Sequence, residues 1–202
     1  MSRRGAGQLG TAVRALVVMT LLLGVAYPLL VTAIAQLAMP GRADGSLVER
    51  DGRVVGSSLV GQSFAGDPAY FWSRPSAAGG GYDPQASGAS NLGLDDPALV
   101  DAVRERRRQV AAANGSRPGD VAPDALLASG SGLDPHVSPA YAEQQVARVA
   151  RARGLDVEVV RRLVRAHTEG RTWGVLGEPR VDVLALDLAL DAVGERSTDA
   201  AD

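Results

Sequence analysis

The chain holds two imidazoles, His136 and His167, and neither stands in a spacing that ligates metal or activates a nucleophile. A Ser-His-Asp triad needs a serine presented on a tight turn, commonly within G-x-S-x-G. The run Gly88-Ala89-Ser90-Asn91-Leu92-Gly93 misses that spacing by one residue, and Ser131 between Gly130 and Gly132 does not meet it either. No H-E-x-x-H or other metal-ligand pattern occurs. Cysteine is absent, which removes disulfides, thiolate zinc sites and iron–sulfur ligation. Lysine is absent too: all 21 basic residues are arginine. A P-loop, a kinase strand lysine and Schiff-base chemistry are thereby excluded. An independent catalytic site is not expected. The enzymatic alternative that stays open is a membrane-anchored extracytoplasmic serine hydrolase using Ser90 or Ser131.

One tract invites ligand chemistry. In Ala128–Pro139 the residues Ser129, Gly130, Ser131 and Gly132 offer backbone N–H groups and hydroxyls next to a helix start at Ser138-Pro139, the makings of an anion-binding nest. The same small residues also suit a tight helix–helix connection.

Local signals outline the elements that would position these groups. Asp96-Pro97 reads as N-cap and first helical residue of a helix that stops at Asn114-Gly115. It carries Arg104, Arg106, Arg107 and Arg108 as a solvated face. Ser138-Pro139 starts a helix ending at Gly154, and Asp156 caps another that ends by Gly170 and packs His167 on its apolar face. A last helix is expected over 183–193, with Val183, Leu186, Leu190 and Val193 inward and Gly194 after it. Asp51-Gly52 between short apolar pieces signals a hairpin within a small β-unit over 47–62. Residues 64–95 are loop-like, opened by Phe64, Tyr70, Phe71 and Trp72, which are read as capping the core.

Ahead of all this, Ala15–Met39 lacks any charge. As a helix it would be about 37 Å long, against about 30 Å of bilayer hydrocarbon. Ala33-Ile34-Ala35 resembles a cleavage site, but the run is longer than a signal core, which favours a retained span. Within it Thr20, Gly24, Pro28, Thr32 and Gln36 recur every four residues as a small and polar face for a membrane partner. Pro28 removes one helical donor and is expected to disturb the helix. Arg3, Arg4 and Arg14 before the span are nearly balanced by Arg42, Arg50 and Arg53 after it. The expected layout is a cytoplasmic amino terminus (1–14), a span (15–39), one extracytoplasmic domain (40–194) and a disordered tail (195–202). The fold class is α+β: a single N-terminal transmembrane helix, then one mostly helical domain with a small β-unit. A net charge of −2 gives no field for nucleic acid. Arginine-only basic usage with abundant alanine, glycine and valine suits a GC-rich bacterial source.

The order of several motifs resembles the C chain of the bacterial potassium-transporting Kdp ATPase. They are Tyr70-Phe71-Trp72-Ser73-Arg74-Pro75-Ser76, Tyr82-Asp83-Pro84, Ser87-Gly88-Ala89-Ser90-Asn91-Leu92-Gly93, the Ser129–Pro139 tract with Asp134 and His136, Thr168-Glu169-Gly170-Arg171 and Gly177-Glu178-Pro179-Arg180-Val181. The resemblance implies a single-span subunit in the cell membrane beside a potassium-selecting A subunit, a P-type ATPase B subunit and a small F subunit. Potassium would be the transported ion, and ATP would enter through the complex. It further implies a role in assembly and activity, described in the family as a catalytic chaperone that raises the B subunit's ATP affinity, with nucleotide near Ser129–Gly132. The other motif residues, Tyr70, Phe71, Trp72, Arg74, Asp83, Ser90, Asn91, Asp134, His136, Glu169, Arg171, Glu178 and Arg180, would be structural or contact partners. Leu94, Asp95 and Asp96 depart from the family's usual Pro-Thr-Asn, and Asp182 and Asp187 stand where it usually has asparagine. An outside domain could not share ATP with a cytoplasmic one across the hydrocarbon.

Overall fold

A computed structural model describes residues 3–199, with side chains over 7–194. The chain divides into two compact units, Met1–Leu47 and Val48–Asp202.

The first unit is a helix with a defect. Helix α1 (Arg3–Met19) passes into a π-helical stretch, Thr20–Ala26, and then α2 (Tyr27–Ala38). The wide turns end at Tyr27, whose N–H bonds the carbonyl of Leu22, and Pro28 follows at once. Proline lacks the N–H that an α-turn needs and its ring crowds the carbonyl four residues back, so a wider register before it relieves the clash. One continuous apolar helix, Gly7–Ala38, is long enough to cross a membrane, and its side chains are exposed throughout the apolar window. The helix thus begins earlier than the 15–39 expected from charge alone, because arginine and glutamine are good helix formers. After it, Pro40–Ala43 forms one turn, α3.

The second unit opens with the expected hairpin, β1 (Leu47–Arg50) and β2 (Arg53–Ser57), whose turn puts Asp51 at φ +52° and Gly52 at +72°. Both residues lie in the left-handed region that a tight hairpin turn demands. Helix α4 (Pro97–Asn114) is capped by Asp96 accepting from Ala98 N–H, and Gly115 ends it in the left-handed conformation. Strand β3 (His136–Val137) leads to α5 (Pro139–Arg153), where the Ser138 hydroxyl accepts from Tyr141 N–H and Gly154 closes the helix. Helix α6 (Val157–Ala166) starts at Asp156, whose carboxylate accepts from Glu158 N–H. Then come β4 (Thr168–Glu169), β5 (Arg180–Asp182) and α7 (Val183–Asp199).

Two features of this unit differ from the reading of the sequence. A second antiparallel sheet, in order β3-β5-β4, joins His136 to Asp182 and Glu169 to Arg180 across its registers. Its strands are too short to show an alternating pattern. Helix α7 runs through Gly194 to Asp199 instead of stopping at Val193, so 195–199 are not an irregular tail; 200–202 lie outside the described residues. One internal glycine costs a helix only about 1 kcal/mol, too little to end it. Asp182 accepts from Ala185 N–H at the start of α7. That is capping work which aspartate and asparagine do about equally.

The core is formed where α5 packs on α4 and α6, and α7 on α6 and β5. Phe71, Tyr141, Val146, Val149, Val160, Val181, Leu186 and Leu190 are fully buried there. The α+β class holds: helices supply most of the core and two small sheets edge it.

Candidate functional site

Residues 62–91 form a long strap over the helical core, and most motif residues serve to tie it down. Phe71 is its apolar anchor, completely buried. Two neighbours hold its backbone from below: Phe71 N–H donates to Asp187 Oδ1 at 2.9 Å, and Trp72 N–H to Gln145 Oε1 at 2.6 Å. Tyr70 stacks on Phe64, and the Arg153 guanidinium lies 4.5 Å above the Tyr70 ring.

The centre of this arrangement is Arg148, only 6% exposed on α5. Its Nη1 donates to the carbonyls of Asp67, Pro68 and Tyr70, its Nη2 to Gln145, and its Nε to Asn114. Its guanidinium stacks 4.5 Å over Trp72. The planar guanidinium carries five N–H donors in a fixed fork, against three on an ammonium. Burial lowers the Arg148 pKa, and neighbouring Tyr141 and Asp187 oppose that. A second clamp runs alongside: Arg153 donates to Ala69 O and pairs with Asp191, which also pairs with Arg50. None of Arg148, Gln145, Arg153 or Asp191 stood out in the sequence. The signal was there: Gln145 and Arg148 share a helix face with Tyr141 and Val149, so polar residues occupy inward positions.

The other half of the strap meets the Ser-Gly tract. Arg74 pairs with Asp134 at 3.0 Å, and Asp134 also accepts from the His136 backbone N–H and lies 3.1 Å from its Nδ1. Burial opposes ionisation of Asp134, but the His136 hydrogen bonds and the Arg74 charge hold its carboxyl below the usual range. Ser76 donates to Gly132 O, and Tyr82 donates its hydroxyl to Arg74 O. Burial raises the Tyr82 pKa. Asp83 caps the short turn Pro84–Ala86 by accepting from Gln85 N–H.

Within the tract, Gly132 N–H bonds Ser129 O, Leu133 N–H bonds the Ser131 hydroxyl, and Gly88 N–H and Ser87 Oγ both bond Ser131 O. A side chain on Gly132, which holds φ +70°, would stand 2.7 Å from Ala78 N and Gly88 O. Those N–H groups are therefore engaged within the fold, and the tract is a joint that locks the strap. Ser90 and Asn91 are exposed, Asn91 at φ +51°. The side-chain bond of His136 goes to Asp134, and that of His167 to Leu163 O, so neither described imidazole bond is to a serine. His167 is packed and hydrogen-bonded as its apolar helix face implied.

Between strap and α4 lies a cavity of about 370 Å³ walled by Phe64, Trp72, Arg74, Tyr82, Arg106 and Tyr141, away from Ser129–Gly132. Arg106 alone of the four clustered arginines reaches inward, donating to Leu126 O. The remaining motif pairs meet elsewhere: Glu169 with Arg180 at 2.6 Å and Arg171 with both oxygens of Glu178 at 2.7 and 2.8 Å.

In the first unit Gly24 and Thr20 do share a face, since a Cβ on Gly24 would lie 3.8 Å from Thr20 Cγ2. Gln36 donates to Asp44 at 2.7 Å. Pro28 and Thr32 are exposed.

The family described as "K+-transporting ATPase, c chain" matches residues 9–192. A protein of Kineococcus radiotolerans named potassium-transporting ATPase KdpC subunit is 60% identical over 183 residues, covering 91% of this chain and 92% of its own. Proteins of the same name from Sorangium cellulosum and Methylococcus capsulatus are 60% and 56% identical, over 87% and 88% of this chain.

Proposed function

The chain belongs to the KdpC family, the c chain of the K+-transporting ATPase, and on that premise we propose that it is a non-catalytic subunit which anchors and stabilises the transporting assembly. The observation that carries this is the family match across both units, 9–192, so that the span and the domain belong to one function. In this reading the partners are a potassium-selecting A subunit, an ATP-hydrolysing B subunit and a small F subunit. The apolar helix sits in lipid and packs its Thr20/Gly24 face on partner helices, where small residues permit close approach. The domain stands outside the cell membrane and covers partner loops there.

The arrangement of the strap supports an assembly role over a chemical one. Tyr70, Phe71, Trp72, Arg74, Asp134 and His136 are engaged in holding one surface rigid, and rigid surfaces lose little entropy on docking. Support of the ATPase's nucleotide affinity then follows indirectly, through the assembled complex; within the tract the Gly132 N–H is bonded to Ser129 O and the Leu133 N–H to the Ser131 hydroxyl. Protease treatment of oriented vesicles tests the layout: cleavage of the domain from the outside only is expected. Cleavage from the cytoplasmic side only would overturn it and give the domain access to ATP. Titration of the purified chain with ATP should show no saturable binding, and binding lost in Ser131→Ala would restore the nest.

A further inference from the structure

The three-stranded sheet carries a projection that the strap and its clamps do not use. Glu169 faces Arg180 in the register of β4 and β5, and the chain between them folds into an inner turn. Thr172 and Leu176 exchange backbone hydrogen bonds at 2.9 and 3.0 Å, and Gly174 N–H bonds Arg171 O at 3.0 Å. The tip is therefore held by its own backbone, yet its side chains cover nothing. Trp173 is 86% exposed, Val175 71% and Leu176 52%.

The backbone at the tip is strained. Trp173 holds φ +53°, followed by Gly174 at +78° and Gly177 at +73°. Glycine takes such angles freely, whereas a bulky residue there is an outlier that costs free energy. A turn selected for folding alone would carry glycine or asparagine at 173. Here the fold tolerates strain to hold the largest apolar side chain in water.

The charges around the tip say what covers it. Arg171 is paired with Glu178 and Arg180 with Glu169, so the base is a neutral collar of mutually satisfied ions. Anionic lipid recruits segments with surplus arginine or lysine, and this collar has no surplus. An aromatic anchor inside a polar, charge-balanced rim is the anatomy of a protein–protein hot spot. We infer that the hairpin tip Trp173–Leu176 is a docking element that seats its indole in an apolar, polar-rimmed pocket on another subunit of the potassium-transporting ATPase. This rests on the reading that the chain is a subunit of that complex.

The test uses the full tagged chain, expressed with its partner subunits and solubilised from membranes. Co-purification of partner subunits with the wild-type chain tests the subunit reading itself; its failure ends both. Given that recovery, Trp173→Gly should leave the thermal midpoint equal or higher, because it relieves the strained backbone, while partner retention falls by about 30-fold, the size of an aromatic hot spot. Trp173→Phe should restore most of it. A photo-crosslinker at position 173 should join the chain to an ATPase subunit identified by mass spectrometry. Retention unchanged in Trp173→Gly, or crosslinks only to lipid or to a second copy of the chain, would overturn the inference and leave the subunit reading intact.

Discussion

Replacement of Arg148 by lysine is the perturbation from which most can be learned. The guanidinium satisfies five acceptors from one buried position: the carbonyls of Asp67, Pro68 and Tyr70, and the side chains of Gln145 and Asn114. An ammonium has three donors, so at least two acceptors lose their partner. Each buried acceptor left unpaired costs about 1–3 kcal/mol. Water reaches some strap carbonyls from outside, which draws the total towards about 2–4 kcal/mol. Against a typical domain stability of about 5–15 kcal/mol that is a large loss, and for a domain of this size it lowers the thermal midpoint by about 5–15 °C. Arg148→Met, which removes this donor from all five acceptors and leaves only Asp67 O and Gln145 Oε1 with a second donor, from Trp72, should lose more. The assay is thermal unfolding of the full chain in detergent, followed by Trp72 fluorescence in a Trp173→Phe background. Trp72 lies directly under the guanidinium, so its emission reports release of the strap. Midpoints of both variants within about 2 °C of the parent would refute the idea that Arg148 holds the strap.

Three further outcomes follow from the same geometry. Asp187 is 2% exposed, and burial pushes its carboxyl well above the usual range, so folding takes up a proton there and stability falls as pH rises from about 4 towards the folded pKa. Asp187→Asn keeps the acceptor for Phe71 N–H but does not titrate. Urea midpoints should show a gain over the wild type that grows as pH rises above about 4, by about 1.4 kcal/mol for each tenfold change in the acid constant; parallel curves would contradict this. Gly132→Ala should destabilise and speed proteolysis of the strap, because the added carbon meets backbone at 2.7 Å. Gly154→Ala, also at positive φ but in open space, should cost only about 1 kcal/mol; equal effects would show that the close contact does not matter. Thr20→Leu with Gly24→Leu should weaken co-purification with membrane partners, and unchanged recovery would remove the packing face.

Much of this was legible because it is local. Asp96, Ser138 and Asp156 cap helices with the two or three residues next to them, and Gly115 and Gly154 end helices by a backbone angle of their own. The strap's chemistry was not legible, because Arg148 looks in sequence like one more arginine on a basic helix. Only the tertiary fold turns that face inward. Asp187 hides likewise within an alternation of leucine and alanine. Strand β3 exists through pairing with β5, over forty residues on, which no short window contains, and β4 and β5 are too short to show a pattern of their own. The motif residues were picked out one by one; that Arg74, Ser76 and Tyr82 would converge on Asp134 and Gly132 was not evident from their spacing.

The most direct measurement of the account is potassium-stimulated ATP hydrolysis by the purified partner subunits with and without this chain. The account predicts no hydrolysis by the chain alone, little by the partners without it, and full restoration by wild type and by Ser90→Ala/Ser131→Ala alike. Full activity of partners lacking the chain, or loss of activity in the double serine variant despite normal assembly, would contradict it.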